Sequence, residues 1–138
     1  MGQAQVIWVE QEQFVGIDES NHSVVLSTQG EGNAVGMRPS DLLLVALAGC
    51  TAVDVVRILE KSRQKLASLK IEVTGEQEPE PPWAFKTIHL KYRLRGSLSS
   101  EVVERAIELS EKKYCSVSAS LRPQVEITTS YDILQGEE

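Results

Sequence analysis

The stretch Met37-Arg38-Pro39-Ser40-Asp41-Leu42-Leu43-Leu44-Val45-Ala46-Leu47-Ala48-Gly49-Cys50-Thr51-Ala52-Val53-Asp54-Val55-Val56 decides the fold. Pro39 suits the first position of a helix, where its missing N–H is no loss. Asp41 then stands in the first turn, favourably placed against the helix dipole. From Asp41 to about Leu66 there is no proline, and Gly49 is the one glycine. Apolar residues cover nearly the whole circumference from Leu42 to Val53, then narrow to Val55, Val56, Ile58 and Leu59. A helix that is apolar all round is a buried one. The spacing therefore predicts a central core helix whose second half, from Arg57 to Lys65, emerges into water. Such a helix in so short a chain suggests burial borrowed from a partner subunit.

Before this helix the chain reads as a short β-meander: Gln5–Val9, Gln13–Ile17 and Ser23–Ser27, then a glycine-rich loop, 28–36. After it, Leu69-Lys70-Ile71-Glu72-Val73-Thr74 alternates with period two. Glu76 to Pro82, with three prolines, is a loop. From Phe85 to Arg95, Ile88, Leu90, Tyr92 and Leu94 alternate with His89, Lys91, Arg93 and Arg95, so one strand face is core and the other basic and solvated. A second helix is capped by Ser100 and runs to Lys113. A last strand covers Gln124 to Ile133. The order βββ-α-ββ-α-β points to an α+β fold, and 138 residues suit a single domain over 1–138.

The net charge of −6 argues against nucleic acid and against an anionic membrane surface. The N-terminus lacks the basic and apolar regions of a signal peptide, and the run Leu42 to Ala48 is too short to span a bilayer. A cytoplasmic protein is expected, and there thiols stay reduced. Two histidines, neither close in sequence to a cysteine, give no zinc-site spacing, and no phosphate-binding or dinucleotide motif is present. No metal and no cofactor is expected.

That leaves two cysteines, Cys50 and Cys115. By themselves they fit packing roles, one as a small hydrophobe in a helix and the other at a helix end. Their surroundings say more. Met37 to Leu44, then Ala48-Gly49-Cys50-Thr51-Ala52 and Asp54-Val55-Val56, resemble the central-helix signature of OsmC-like proteins. Lys113-Tyr114-Cys115-Ser116-Val117 is similar to the second-cysteine motif of the same family, and the short, YhfA-type branch is the most alike. The element order agrees, so the resemblance spans nearly the whole chain.

The resemblance implies an OsmC-like fold, two subunits intertwined as a homodimer, and active sites at the subunit interface. It implies a thiol-dependent peroxidase in an oxidative stress response. Cys50 would attack an organic hydroperoxide, Cys115 would close a disulfide with the resulting sulfenic acid, and a small dithiol reductant would restore both. The nucleophile must be a thiolate. Cys50 lies about three turns into its helix, too far for the dipole to help. Family members with strong activity use an N-terminal arginine held by a glutamate just after the helix-start proline. Here no Lys or Arg precedes Arg38, and Ser40 follows Pro39, with Asp41 one step later. Candidate supporting residues are Arg38, if its loop folds inward, Asp41, Asp54 at i+4 from Cys50, and His22 as a base. Arg57 is nearly on the face of Cys50 but roughly 10 Å along the axis. The departure from the arginine pattern keeps an alternative open: a non-peroxidatic dimer that binds a small molecule or senses redox state.

Overall fold

Three strands rich in β-branched and aromatic residues open the chain: β1 (Ala4–Glu10), β2 (Gln13–Asp18) and β3 (Ser23–Ser27). They form an antiparallel sheet in the order β1-β2-β3. The computed structural model describes residues 2–134, and the chain falls into two compact units dividing between Leu43 and Leu44. In the first unit the loop after β3 is tied down by Asn33. Its Oδ1 accepts from the Glu12 N–H at 3.2 Å and from the Gln13 amide at 3.3 Å. Strand β1 is exposed along its whole length, with Val6 and Trp8 each 66% accessible.

Helix α1 (Pro39–Lys61) begins at the expected proline, with Asp41 in its first turn. Leu47, Thr51, Val55 and Leu59, one residue per turn, are fully buried. The all-round burial expected from composition is not met within one chain: Val45 and Val53 stay half exposed, and Gly49 between them is exposed. By length and composition alone α1 would qualify as a membrane span, which the shorter run Leu42 to Ala48 did not suggest. Its buried stripe, however, packs into the core of the second unit.

The helix ends earlier than its pattern suggests. Arg63 takes φ 60°, its N–H donates to the Glu60 carbonyl at 3.0 Å, and the Gln64 N–H donates to the Leu59 carbonyl at 2.9 Å. This is the closing motif whose left-handed residue is usually glycine. With arginine there, the stop signal is invisible in the sequence. Strand β4 (Lys65–Gln77) therefore starts where the helix was expected to continue.

Strand β5 (Phe85–Ser97) pairs antiparallel with β4 and parallel with β6 (Glu126–Leu134), giving the order β4-β5-β6. Gly96 stands at the base of the β4–β5 pair with φ 138°, and a Cβ there would fall 2.1 Å from the Lys65 carbonyl oxygen. A parallel pair needs a crossover, supplied by α2 (Ser100–Leu109), a π turn (Ser110–Tyr114) and a short α3 (Ser116–Leu121). Ser99, one residue before the expected cap, accepts from the Val102 N–H. The core of this unit is the alternating face of β5 (Ile88, Leu90, Tyr92, Leu94) between the α1 stripe and Val103, Ala106 and Ile107 of α2. The α+β reading and the element order hold, with α3 added.

Candidate functional site

The π turn positions the second thiol. On α2 the buried positions are Val103, Ala106, Ile107 and then Ser110. Continued as an α-helix, the same face would next present Tyr114. Instead the Cys115 N–H donates to the Ser110 carbonyl at 2.8 Å, five residues back. The extra residue rotates the chain, so Tyr114 is 52% exposed and Cys115 is 3% exposed. Cys115 then serves as the N-cap of α3, its Sγ accepting from the Ser118 N–H at 3.3 Å.

Cys50, on α1, is half-buried, and its Sγ lies 4.0 Å from the Ser116 hydroxyl. Both thiols are free. Burial is the largest single influence on Cys50 and opposes its ionisation. The Val117 N–H, the Cys115 thiol, and the hydroxyl and N–H of Ser116 all favour the thiolate, and together they bring the pKa below the ordinary thiol value. Cys115 goes the other way. Burial pushes it up to about 11, reinforced by its role as donor to Cys50 and opposed by the Ser118 N–H. Two adjacent thiols are thus driven apart, one toward thiolate and one held as thiol. That is the division between a nucleophile and a waiting partner.

The stabilising groups come from one short segment, residues 115–117, and none of the leading ones is a cation. Arg38 instead binds Asp41 at the start of α1, Nε to Oδ2 at 3.0 Å, and its side chain is 56% exposed. Asp54 accepts from the buried Ser110 hydroxyl at 2.8 Å. His22 sits in the exposed turn between β2 and β3, its Nδ1 2.8 Å from the Ser20 hydroxyl. Arg57 is exposed. Sequence reasoning missed Ser110, Ser116 and the Val117 amide. Backbone donors carry no residue-type signal, and Ser116-Val117-Ser118-Ala119-Ser120-Leu121 is too short to announce a helix by periodicity.

Tyr92 belongs to the same buried core as Cys115. Its hydroxyl is fully buried near Thr51 without a well-formed hydrogen bond, and burial pushes its pKa up to about 12. Among the described residues, no three His, Cys, Asp or Glu side chains gather to hold a metal ion.

The sequence profile of OsmC-like proteins matches residues 30–130. Protein YhfA of Escherichia coli K12 is 38% identical over 135 residues, spanning 96% of this chain and 98% of YhfA. A hypothetical protein of Aquifex aeolicus has a crystal structure similar at a TM-score of 0.90, with 27% identity over 99% of this chain and 98% of its own. An organic hydroperoxide resistance protein OsmC from Legionella pneumophila shares the fold at a TM-score of 0.72, with 15% identity and 96% coverage of both chains.

Proposed function

The chain belongs to the OsmC-like family, and on that premise we propose that it is a thiol-dependent peroxidase reducing organic hydroperoxides in the cytoplasm. The observation that carries this reading is the opposed tuning of Cys50 and Cys115. The Cys50 thiolate attacks the terminal oxygen of a hydroperoxide. The O–O bond breaks, Cys50 becomes a sulfenic acid, and the alkoxide takes up a proton and leaves as an alcohol. Cys115, after losing its proton, displaces hydroxide from the sulfenic sulfur; the proton and hydroxide leave as water and a disulfide forms. A small dithiol reduces that bond by exchange and is itself oxidised to a disulfide. The kinship to a fold that includes a named organic hydroperoxide resistance protein supports the substrate class.

The working unit in this reading is a homodimer. Val45, Gly49 and Val53 form an uncovered apolar strip on α1, and β1 presents Val6 and Trp8 to solvent. Apolar surface exposed in this way is what a second copy would cover.

The test is turnover of cumene hydroperoxide with a dithiol such as dithiothreitol. Wild-type protein should consume it and Cys50→Ser should not. No turnover by wild type, with Cys50 unmodified after peroxide exposure, would sink the proposal. A second reading is favoured by one observation: no Lys or Arg precedes Arg38, and Arg38 itself is engaged by Asp41. In that reading the protein is a non-peroxidatic dimer that binds a small molecule or senses redox state. It then predicts a Cys50 that ionises like an ordinary thiol.

A further inference from the structure

Residues of the C-terminal half of α1, of α2 and of the π turn line an open cavity of about 590 Å³. That is within the range of small-molecule sites. Ile58 and Val102 supply apolar lining and Tyr114 an aromatic ring. Arg57, Lys61 and Arg105 also line it, with Ser62 and Asp54. Asp54 already accepts from Ser110. Three cations against one engaged carboxylate leave the cavity with a net positive charge of two.

Elsewhere, Arg38, Lys70, Lys86, Lys91, Arg93, Lys112 and Arg122 each have a carboxylate within ion-pairing distance. Among the described residues, Arg57, Lys61 and Arg105 form no such pair, and neither do Arg63, Lys65 and Lys113; what sets the first three apart is that they line one cavity. Arg57 and Lys61 are also four apart on one helix, where like charges repel. Three cations thus share one cavity with a single carboxylate and with the apolar side chains of Ile58 and Val102.

We propose that this cavity binds a small carboxylate with an apolar body, its head on Arg57 and Arg105 and its body against Ile58, Val102 and Tyr114. Arginine suits the head group because its planar fork matches a carboxylate. Neither thiol lines the cavity, and the proposal does not depend on peroxidase activity.

Calorimetric titration of the full chain with octanoate, 1-octanol and octylamine tests this. Octanoate should bind at one site per chain and weaken with added salt; octanol and octylamine should bind at least about ten-fold more weakly. The double variant Arg57→Gln/Arg105→Gln should lose affinity for octanoate by a similar factor, with its thermal melt unchanged because both side chains are exposed. Arg57→Lys/Arg105→Lys should recover part of it, and Cys50→Ser should bind like wild type. The proposal is overturned if octanoate fails to bind, if octanol binds as well, or if the Gln variant binds octanoate like wild type.

Discussion

The Cys50 sulfur lies 4.0 Å from the Ser116 hydroxyl, and the backbone N–H of Ser116 also favours the Cys50 thiolate. Two donors from one residue therefore act on the Cys50 sulfur, and they can be removed separately. Ser116→Ala takes away the hydroxyl alone. Ser116→Pro takes away the N–H as well, at a position where the fold tolerates proline. Ser116 is the first residue of α3, the helix position proline prefers. Cys115 before it is already extended at φ −79°, ψ 106°, as a residue preceding proline must be. A hydrogen bond to a charged group contributes about 1.5–3 kcal/mol, or about one to two pKa units. Titrating Cys50 by thiolate absorbance in a Cys115→Ser background should show a small rise for Ser116→Ala and a larger one for Ser116→Pro. Equal values in all three proteins would show that residue 116 does not tune the thiol.

The two thiols should also differ in reactivity. Iodoacetamide traps thiolates, so its rate against pH reports each one's ionisation. Cys50, held below the ordinary thiol value and partly exposed, should be alkylated first and reach half its limiting rate below pH 9. Cys115, 3% exposed and pushed up to about 11, should stay unmodified across that range. The sign for stability follows. A thiol whose folded value lies above its unfolded value stabilises the fold below about pH 9 and loses that contribution as pH rises toward 11. Urea midpoints should fall between those limits, and less so in Cys115→Ala. Peptide mass spectrometry that finds Cys115 alkylated first would reverse the assignment of roles.

Much of the fold was legible in the sequence, and the reasons are physical. The period-two run from Ile88 to Leu94 must bury one face, and all four of its apolar residues are buried. Pro39 and Asp41 fixed the start of α1 through helix-end chemistry. What stayed hidden depends on backbone geometry rather than residue type. The end of α1 rests on a left-handed arginine. The inward turn of Cys115 rests on one extra residue in a π turn. The thiolate is stabilised by main-chain amides where a cation was sought in Arg38 and Arg57.

Asp54 and Ser110 should prove a structural pair. Ser110 is fully buried and donates to a part-buried carboxylate. Ser110→Ala leaves that carboxylate without this donor and should cost about 1–3 kcal/mol by urea denaturation. Asp54→Asn keeps an acceptor oxygen and should cost less. The Ser110 carbonyl anchors the π turn through the Cys115 N–H regardless of side chain. Iodoacetamide rates at Cys115 should therefore stay low in Ser110→Ala. A fast Cys115 in that variant would mean that the hydroxyl, and not the backbone bond, holds the turn.

The uncovered strip of α1 makes the assembly testable. Val45 and Val53 are 51% and 50% exposed, and at Gly49 between them a Cβ would meet nothing within 4 Å. A helix face of this shape lets a second helix approach closely, with glycine at the point of contact. If a second copy covers it, Val53→Lys places an unpaired charge in the contact. Gly49→Leu separates the two helices without adding charge. Both substitutions meet open space within the single chain, so neither should disturb its own core around Leu47 and Val55. Sedimentation equilibrium should give a dimer for wild type and mostly monomer for Val53→Lys, with Gly49→Leu weakened in between. Far-ultraviolet circular dichroism should stay the same for all three if the folded subunit survives alone. A wild-type protein that sediments as a monomer at micromolar concentration would rule the strip out as a dimer contact.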